Sequence, residues 1–84
     1  MKLLFAEDNV DVSKAVVTLL TRNNYTVDPV YNGNDALTYL TGGDYDAAVL
    51  DVMMPGMDGY QTCDALRAFC NAPVLFLTAK SAEH

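Results

Sequence analysis

The sequence predicts an α/β protein, a doubly wound parallel sheet in the order β-α-β-α-β-α-β, and three observations carry that prediction. Apolar runs at residues 2–6, 47–50 and 74–77 are continuous rather than alternating, as in strands buried on both faces. Between them lie segments whose apolar residues recur at helical spacing. Acidic residues follow the runs at 2–6 and 47–50 directly. Strands alternating with amphipathic helices imply right-handed crossovers and a parallel sheet with helices on both faces.

Residues Lys2 to Ala6 form the first strand, ending at Glu7-Asp8. Asn9 is a suitable N-cap, and Val12, Val16, Leu19 and Leu20 supply the inner face of a helix to about Asn23, with Ser13, Lys14, Thr18 and Thr21 turned elsewhere. Tyr25 to Val30 is rich in β-branched and aromatic residues, but Pro29 cannot donate to a ladder and places this strand at an edge. Asn32-Gly33 signals a turn and Asn34 is placed to cap the second helix, whose stripe is Ala36, Leu37 and Leu40 before Gly42-Gly43. Ala47 to Leu50 is the third strand, followed by a loop through Pro55 and Gly56. Asp58-Gly59 opens a third helix with Tyr60, Cys63, Ala65, Leu66 and Phe69 inside. Pro73 restarts the chain before the fourth strand, Val74 to Leu77, apolar on both faces.

A chain of 84 residues supports one domain, and 51% hydrophobic content marks it as globular. The formal net charge of −6 argues against direct binding to nucleic acid or an anionic membrane, both of which need basic footprints. No apolar run approaches the ~20 residues of a membrane span, and Met1 to Ala6 is too short for a signal peptide's apolar region. The chain therefore reads as cytoplasmic. Cys63 and Cys70 share a helix face about 10 Å apart along its axis, too far for a disulfide, and read as plain buried thiols.

In doubly wound sheets ligands bind outside the carboxyl ends of the strands, where strand order reverses. Glu7, Asp8, Asp51 and Thr78 share that rim. Two unit charges ~4 Å apart repel by about 4 kcal/mol at an effective dielectric of 20, so carboxylates gathered there call for a cation. Mg2+ suits such a set, because it takes one or two carboxylates together with carbonyl, water and phosphate oxygens. Taken singly, each acid has a plainer explanation as a helix or loop cap. Asp51 resists it, because it ends the most apolar strand and precedes Met53, Met54 and Pro55 rather than a helix. An aspartate beside a divalent cation can act as a nucleophile toward a phosphoryl donor. The hydroxyl of Thr78 and the backbone N–H beside the small Ala79 are then suitable donors to the phosphoryl oxygens, although Thr78 also suits a helix cap.

With Glu7-Asp8 after the first strand, "VLDVMMPGMDG" around the third and "APVLFLTAK" at the fourth, the sequence resembles a response regulator receiver domain of two-component signalling, in register over the whole chain. The resemblance implies a flavodoxin-like fold, Asp51 as phosphoacceptor, and Glu7, Asp8 and Asp51 with the backbone carbonyl of Met53 as ligands to Mg2+. It makes Thr78 the switch hydroxyl and Met53 and Lys80 positions that tune hydrolysis. It implies a sensor histidine kinase as partner, and an activity limited to self-phosphorylation and self-dephosphorylation at Asp51. The separation of Asp51 and Thr78 resembles that in receivers joined to winged-helix DNA-binding domains, which implies transcriptional control in a longer parent.

The family pattern continues with a fourth helix, a fifth strand and a fifth helix, so residues 1–84 read as an incomplete receiver domain, truncated after the fourth strand. The family's phosphoryl-pairing lysine belongs to that continuation, and Lys80 is too differently placed to replace it. An unpaired fourth strand and an uncovered sheet face both invite association, which predicts a homo-oligomer formed through that strand or by exchange of elements. The competing reading is a non-phosphorylated interaction or dimerisation module. A small nucleotide-binding enzyme of the same class is disfavoured by the lack of a glycine-rich phosphate loop.

Overall fold

A computed structural model describes residues 1–68 and 70–77. The elements are β1 (Lys2–Ala6), α1 (Val10–Arg22), β2 (Thr26–Val30), α2 (Gly33–Gly42), β3 (Ala47–Asp51), α3 (Gly59–Leu66) and β4 (Val74–Leu77). The four strands are parallel in the order β2-β1-β3-β4. Pro29 lies in β2 at the sheet edge, as its missing N–H requires. The chain leaves β1 toward β2 and returns past it to β3, so strand order reverses between β1 and β3. That reversal opens a crevice at their carboxyl ends.

One face of the sheet carries the main core. Leu4, Ala6, Val30, Ala48 and Leu50 meet Ala36 and Leu40 of α2, Leu66 of α3 and the loop residue Met54, all buried. Helix α1 covers the other face, against β2 and β1. Tyr45 closes the end of the sheet remote from the crevice. Its hydroxyl donates to Asp28 Oδ2 at 2.6 Å, and Lys2 Nζ lies 4.7 Å from its ring centroid. Burial and the Asp28 carboxylate hold this phenol well above its ordinary pKa.

Several local expectations are corrected. On α1, Ser13 is buried and Val16, Val17 and Leu20 are half-buried, whereas Val12 and Leu19 are exposed. The helix sits mainly on β2 and β1, and its contact line is the stripe 13, 16, 17 and 20, one residue round from the expected one. The cap of α2 is Asn32, not Asn34. Asn32 has the extended backbone that a cap needs (φ −158°, ψ 168°) and accepts from Asp35 N at 2.7 Å, which leaves Asn34 inside the helix.

On α3 the buried positions are Gly59, Thr62 and Leu66, and Tyr60 is 54% exposed, with its ring tilted against Phe76 at 4.8 Å between centroids. Phe69, expected on the same inner face, lies outside the described residues. Cys63 and Cys70 are free and half-buried rather than buried, and they do not share a helix, since α3 ends at Leu66 before Cys70.

Strand β4 is apolar, yet only Val74 is half-buried, while Leu75, Phe76 and Leu77 are exposed. In the register row Phe5–Val49–Leu75, exposure climbs from 0% at Phe5 to 63% at Leu75. The row runs out from beneath α1, which explains the gradient.

Candidate functional site

The crevice collects the predicted acids because β1 and β3 are paired in parallel with Ala6 opposite Leu50. Glu7 and Asp8 follow the first of these residues and Asp51 follows the second, so the same pairing brings them to one rim. One carboxylate oxygen from each of Glu7, Asp8 and Asp51 lies within 4.8 Å of the others. Glu7 and Asp51 are buried and Asp8 is exposed. The set is thus anchored inside and open to solvent on one side.

Local hydrogen bonds aim each group. Glu7 extends the ladder by donating its N–H to Val30 O at 3.1 Å, and its Oε2 accepts from Asn9 N at 3.0 Å. Asp51 is the last residue of β3, and its Oδ1 accepts from Met53 N at 3.1 Å, which turns the chain at the strand end. Capping is performed by other residues. Asn9 accepts from the N–H groups of Asp11 and Val12 to start α1, and Asp58 with Gln61 forms a reciprocal capping box on α3. None of the three acids caps a helix, although Glu7 and Asp51 each accept one backbone N–H of the loop that follows.

Burial pushes the Glu7 carboxyl up to about 7, opposed by the Asn9 N–H and reinforced by the negative charge of Asp51 and by hydrogen bonds to Asp8 and Asp51. Three carboxylates this close call for a positive counter-charge, and the donor set suits a hard divalent ion such as Mg2+. A cleft of about 510 Å³ adjoins the acids, bounded by Asp8, Met53, Pro55, Asp58 and Tyr60. Gly56 turns this loop with φ of +73°, a conformation that disfavours any side chain.

The Met53 side chain is 54% exposed, so this residue serves the site through its backbone. Thr78, Ala79 and Lys80 lie outside the described residues. Leu77, which precedes Thr78, is the register partner of Asp51, and its carbonyl accepts from Val52 N at 3.1 Å. Sequence reading overlooked Asn9 as a donor to Glu7 and Gly59 as a close neighbour of Asp51. An asparagine directly after an acidic pair and a glycine at a helix start were the available signals, but each also fits ordinary capping.

The family model for the response regulator receiver domain matches residues 3–84. The transcriptional regulatory protein TcrA of Mycobacterium tuberculosis is 43% identical over 83 residues, covering 98% of this chain and 33% of that protein. The chain thus spans about a third of that relative's length. The response regulator TrrA from Thermotoga maritima, solved in complex with Mg2+-BeF, superposes with a TM-score of 0.88 at 29% identity, over 93% of this chain and 69% of that one. A structure of the histidine kinase ThkA in complex with TrrA matches with a TM-score of 0.87 at 29% identity, over 93% of this chain and 68% of the matched one. The acid-lined crevice, the sheet order and these likenesses agree: the chain belongs to the response regulator receiver domain family.

Proposed function

We propose that Asp51 is the phosphoacceptor of this receiver domain, and that Glu7, Asp8 and Asp51 with the Met53 carbonyl hold Mg2+ beside it. The convergence of three carboxylates on one rim, two of them buried, is the observation that carries this reading. In the transfer, an Asp51 carboxylate oxygen forms a bond to the phosphorus of a sensor kinase's phosphohistidine while the P–N bond breaks and the imidazole leaves. Later attack by water on the phosphorus returns the carboxylate and inorganic phosphate. Bound Mg2+ would neutralise the phosphoryl oxygens and the crowded acids during transfer. The chain's own contribution is orientation: the Met53 N–H holds one Asp51 oxygen, and the strand fixes the carboxylate at the crevice. Thr78 and the Ala79 N–H would complete the oxyanion contacts.

The partner in this reading is a sensor histidine kinase, and the output is transcriptional control by a longer cytoplasmic protein of which residues 1–84 are the receiver portion. Among the described residues, no helix is long and apolar enough to cross a membrane. The test is incubation with Mg2+ and acetyl phosphate followed by intact-mass measurement. A phosphoryl adduct on the wild type that is lost in Asp51→Asn supports the assignment, and an adduct that persists in the variant refutes it.

We also propose that the 84-residue chain self-associates through β4, as a homo-oligomer that pairs strands or exchanges elements. The exposure of Leu75, Phe76 and Leu77 supports this. A cooperatively folded monomer in light scattering at micromolar concentration would remove it.

A further inference from the structure

We infer that Gly59 is a positioning residue for phosphoryl acceptance, acting through the backbone of Asp51, with Gly33 supporting the same loop from behind. The inference rests on the reading of Asp51 given above. A Cβ at Gly59 would lie 2.6 Å from the Asp51 carbonyl oxygen, 3.0 Å from the Asp51 carbonyl carbon and 3.0 Å from Val52 Cα. All three are backbone atoms of the strand end, so no side-chain rotation relieves the contact. The requirement is for space: the first turn of α3 starts in van der Waals contact with the residue that bears the acid.

That contact closes the loop on itself. Gly59 N donates to Val52 O at 3.2 Å, so residues 52–58 leave β3 and return to the same point. Within the closed loop, Met53 N holds Asp51 Oδ1 and Asp58 sets where α3 begins. Gly33, the first residue of α2, meets the loop from the other side. Its Cβ would lie 2.8 Å from the Met57 carbonyl oxygen and closer still to the Thr62 hydroxyl, which itself donates to Asp58 O at 2.7 Å. Any side chain at position 59 must push α3 away from β3 and carry the Met53 N–H away from the Asp51 carboxylate. Gly42 has nothing within 4 Å of an added Cβ and supplies the control.

The experiment compares the full chain with Gly59→Ala, Gly42→Ala and Leu37→Ala. Leu37→Ala, at a partly buried position packed on the core, lowers stability without touching the loop. Mg2+ affinity is read from amide shifts, the Met53 amide resonance is recorded without Mg2+, and phosphoryl acceptance from acetyl phosphate is read by intact mass. Gly59→Ala is expected to lose Mg2+ affinity by about tenfold or more, as for other residues that orient metal ligands, and to shift the Met53 amide. Gly42→Ala and Leu37→Ala are expected to keep wild-type affinity. Wild-type affinity and acceptance in Gly59→Ala, or an equal loss in Leu37→Ala, overturns the inference. A wild type that shows neither Mg2+ shifts nor an adduct overturns the reading of Asp51 instead. Should Gly59→Ala not fold, Gly33→Ala is decisive, because its added Cβ meets the same loop at the Met57 carbonyl oxygen, 2.8 Å away, without touching Asp51. Weakened Mg2+ binding together with a shifted Met53 amide in Gly33→Ala supports the loop's role, and unchanged binding in Gly33→Ala refutes it.

Discussion

Met53 donates its backbone N–H to Oδ1 of Asp51 at 3.1 Å while its own side chain stands 54% exposed. The residue that orients the acid is thus chemically almost interchangeable, because the orienting group belongs to the main chain. Met53→Ala should therefore keep Mg2+ affinity within about twofold, whereas Asp51→Asn, which removes the charge of a proposed ligand, should lower it at least tenfold. Parallel Mg2+ titrations of the two variants check this.

Glu7 sets the pH dependence. Its carboxyl is raised from 4.5 to about 7 by burial and by the charge of Asp51, so the folded chain binds this proton more tightly than the unfolded one. The stabilisation from Glu7 is then fully present below about pH 4.5 and is lost as pH rises through about 7. In the proposed site Mg2+ displaces that proton, so its affinity should climb by up to about tenfold per pH unit below 7 and level off above. Glu7→Gln separates the two effects. At pH 8 without metal it should raise stability by on the order of 2 kcal/mol, while weakening Mg2+ binding. Denaturation and Mg2+ titrations at pH 5.5, 6.5 and 8 measure both.

The start of α2 distinguishes two neighbouring asparagines. Asn32 accepts from Asp35 N and Asn34 lies within the helix. Asn32→Ala should cost about 1 kcal/mol, and Asn34→Ala should be neutral or slightly stabilising, since alanine is the better helix former. Urea midpoints of the two variants decide between the caps.

At the opposite end of the sheet, Tyr45→Phe removes the donor to Asp28 Oδ2 and leaves that carboxylate to water. The expected loss is about 1 kcal/mol, with no change in Mg2+ affinity, because the pair closes the sheet end remote from the crevice. Thermal unfolding and a Mg2+ titration together test it.

The fold class was legible because continuous apolar runs such as Ala47 to Leu50, set between helical stripes, are compatible with few other architectures. The acids were legible for a related reason. A carboxylate after an apolar run marks a strand's carboxyl end, and parallel pairing brings such ends together, so the sequence alone puts Glu7, Asp8 and Asp51 on one rim. Pro29 announced its own edge strand through the N–H it lacks. What the sequence left undecided was everything that depends on which neighbour an element meets. Whether Ser13 or Val12 faces inward depends on how α1 rests on β2 and β1, and helical periodicity is satisfied by either stripe. Asn32 and Asn34 are equally good caps by residue type, and only the extended backbone at Asn32 chose between them. The need for glycine at position 59 was hidden because the atoms that forbid a side chain belong to Asp51 and Val52, and a contact between main chains across a loop leaves no trace in residue chemistry. Sequence determined which groups would meet at the crevice; the packing of α3 against the end of β3 decided how closely they are held.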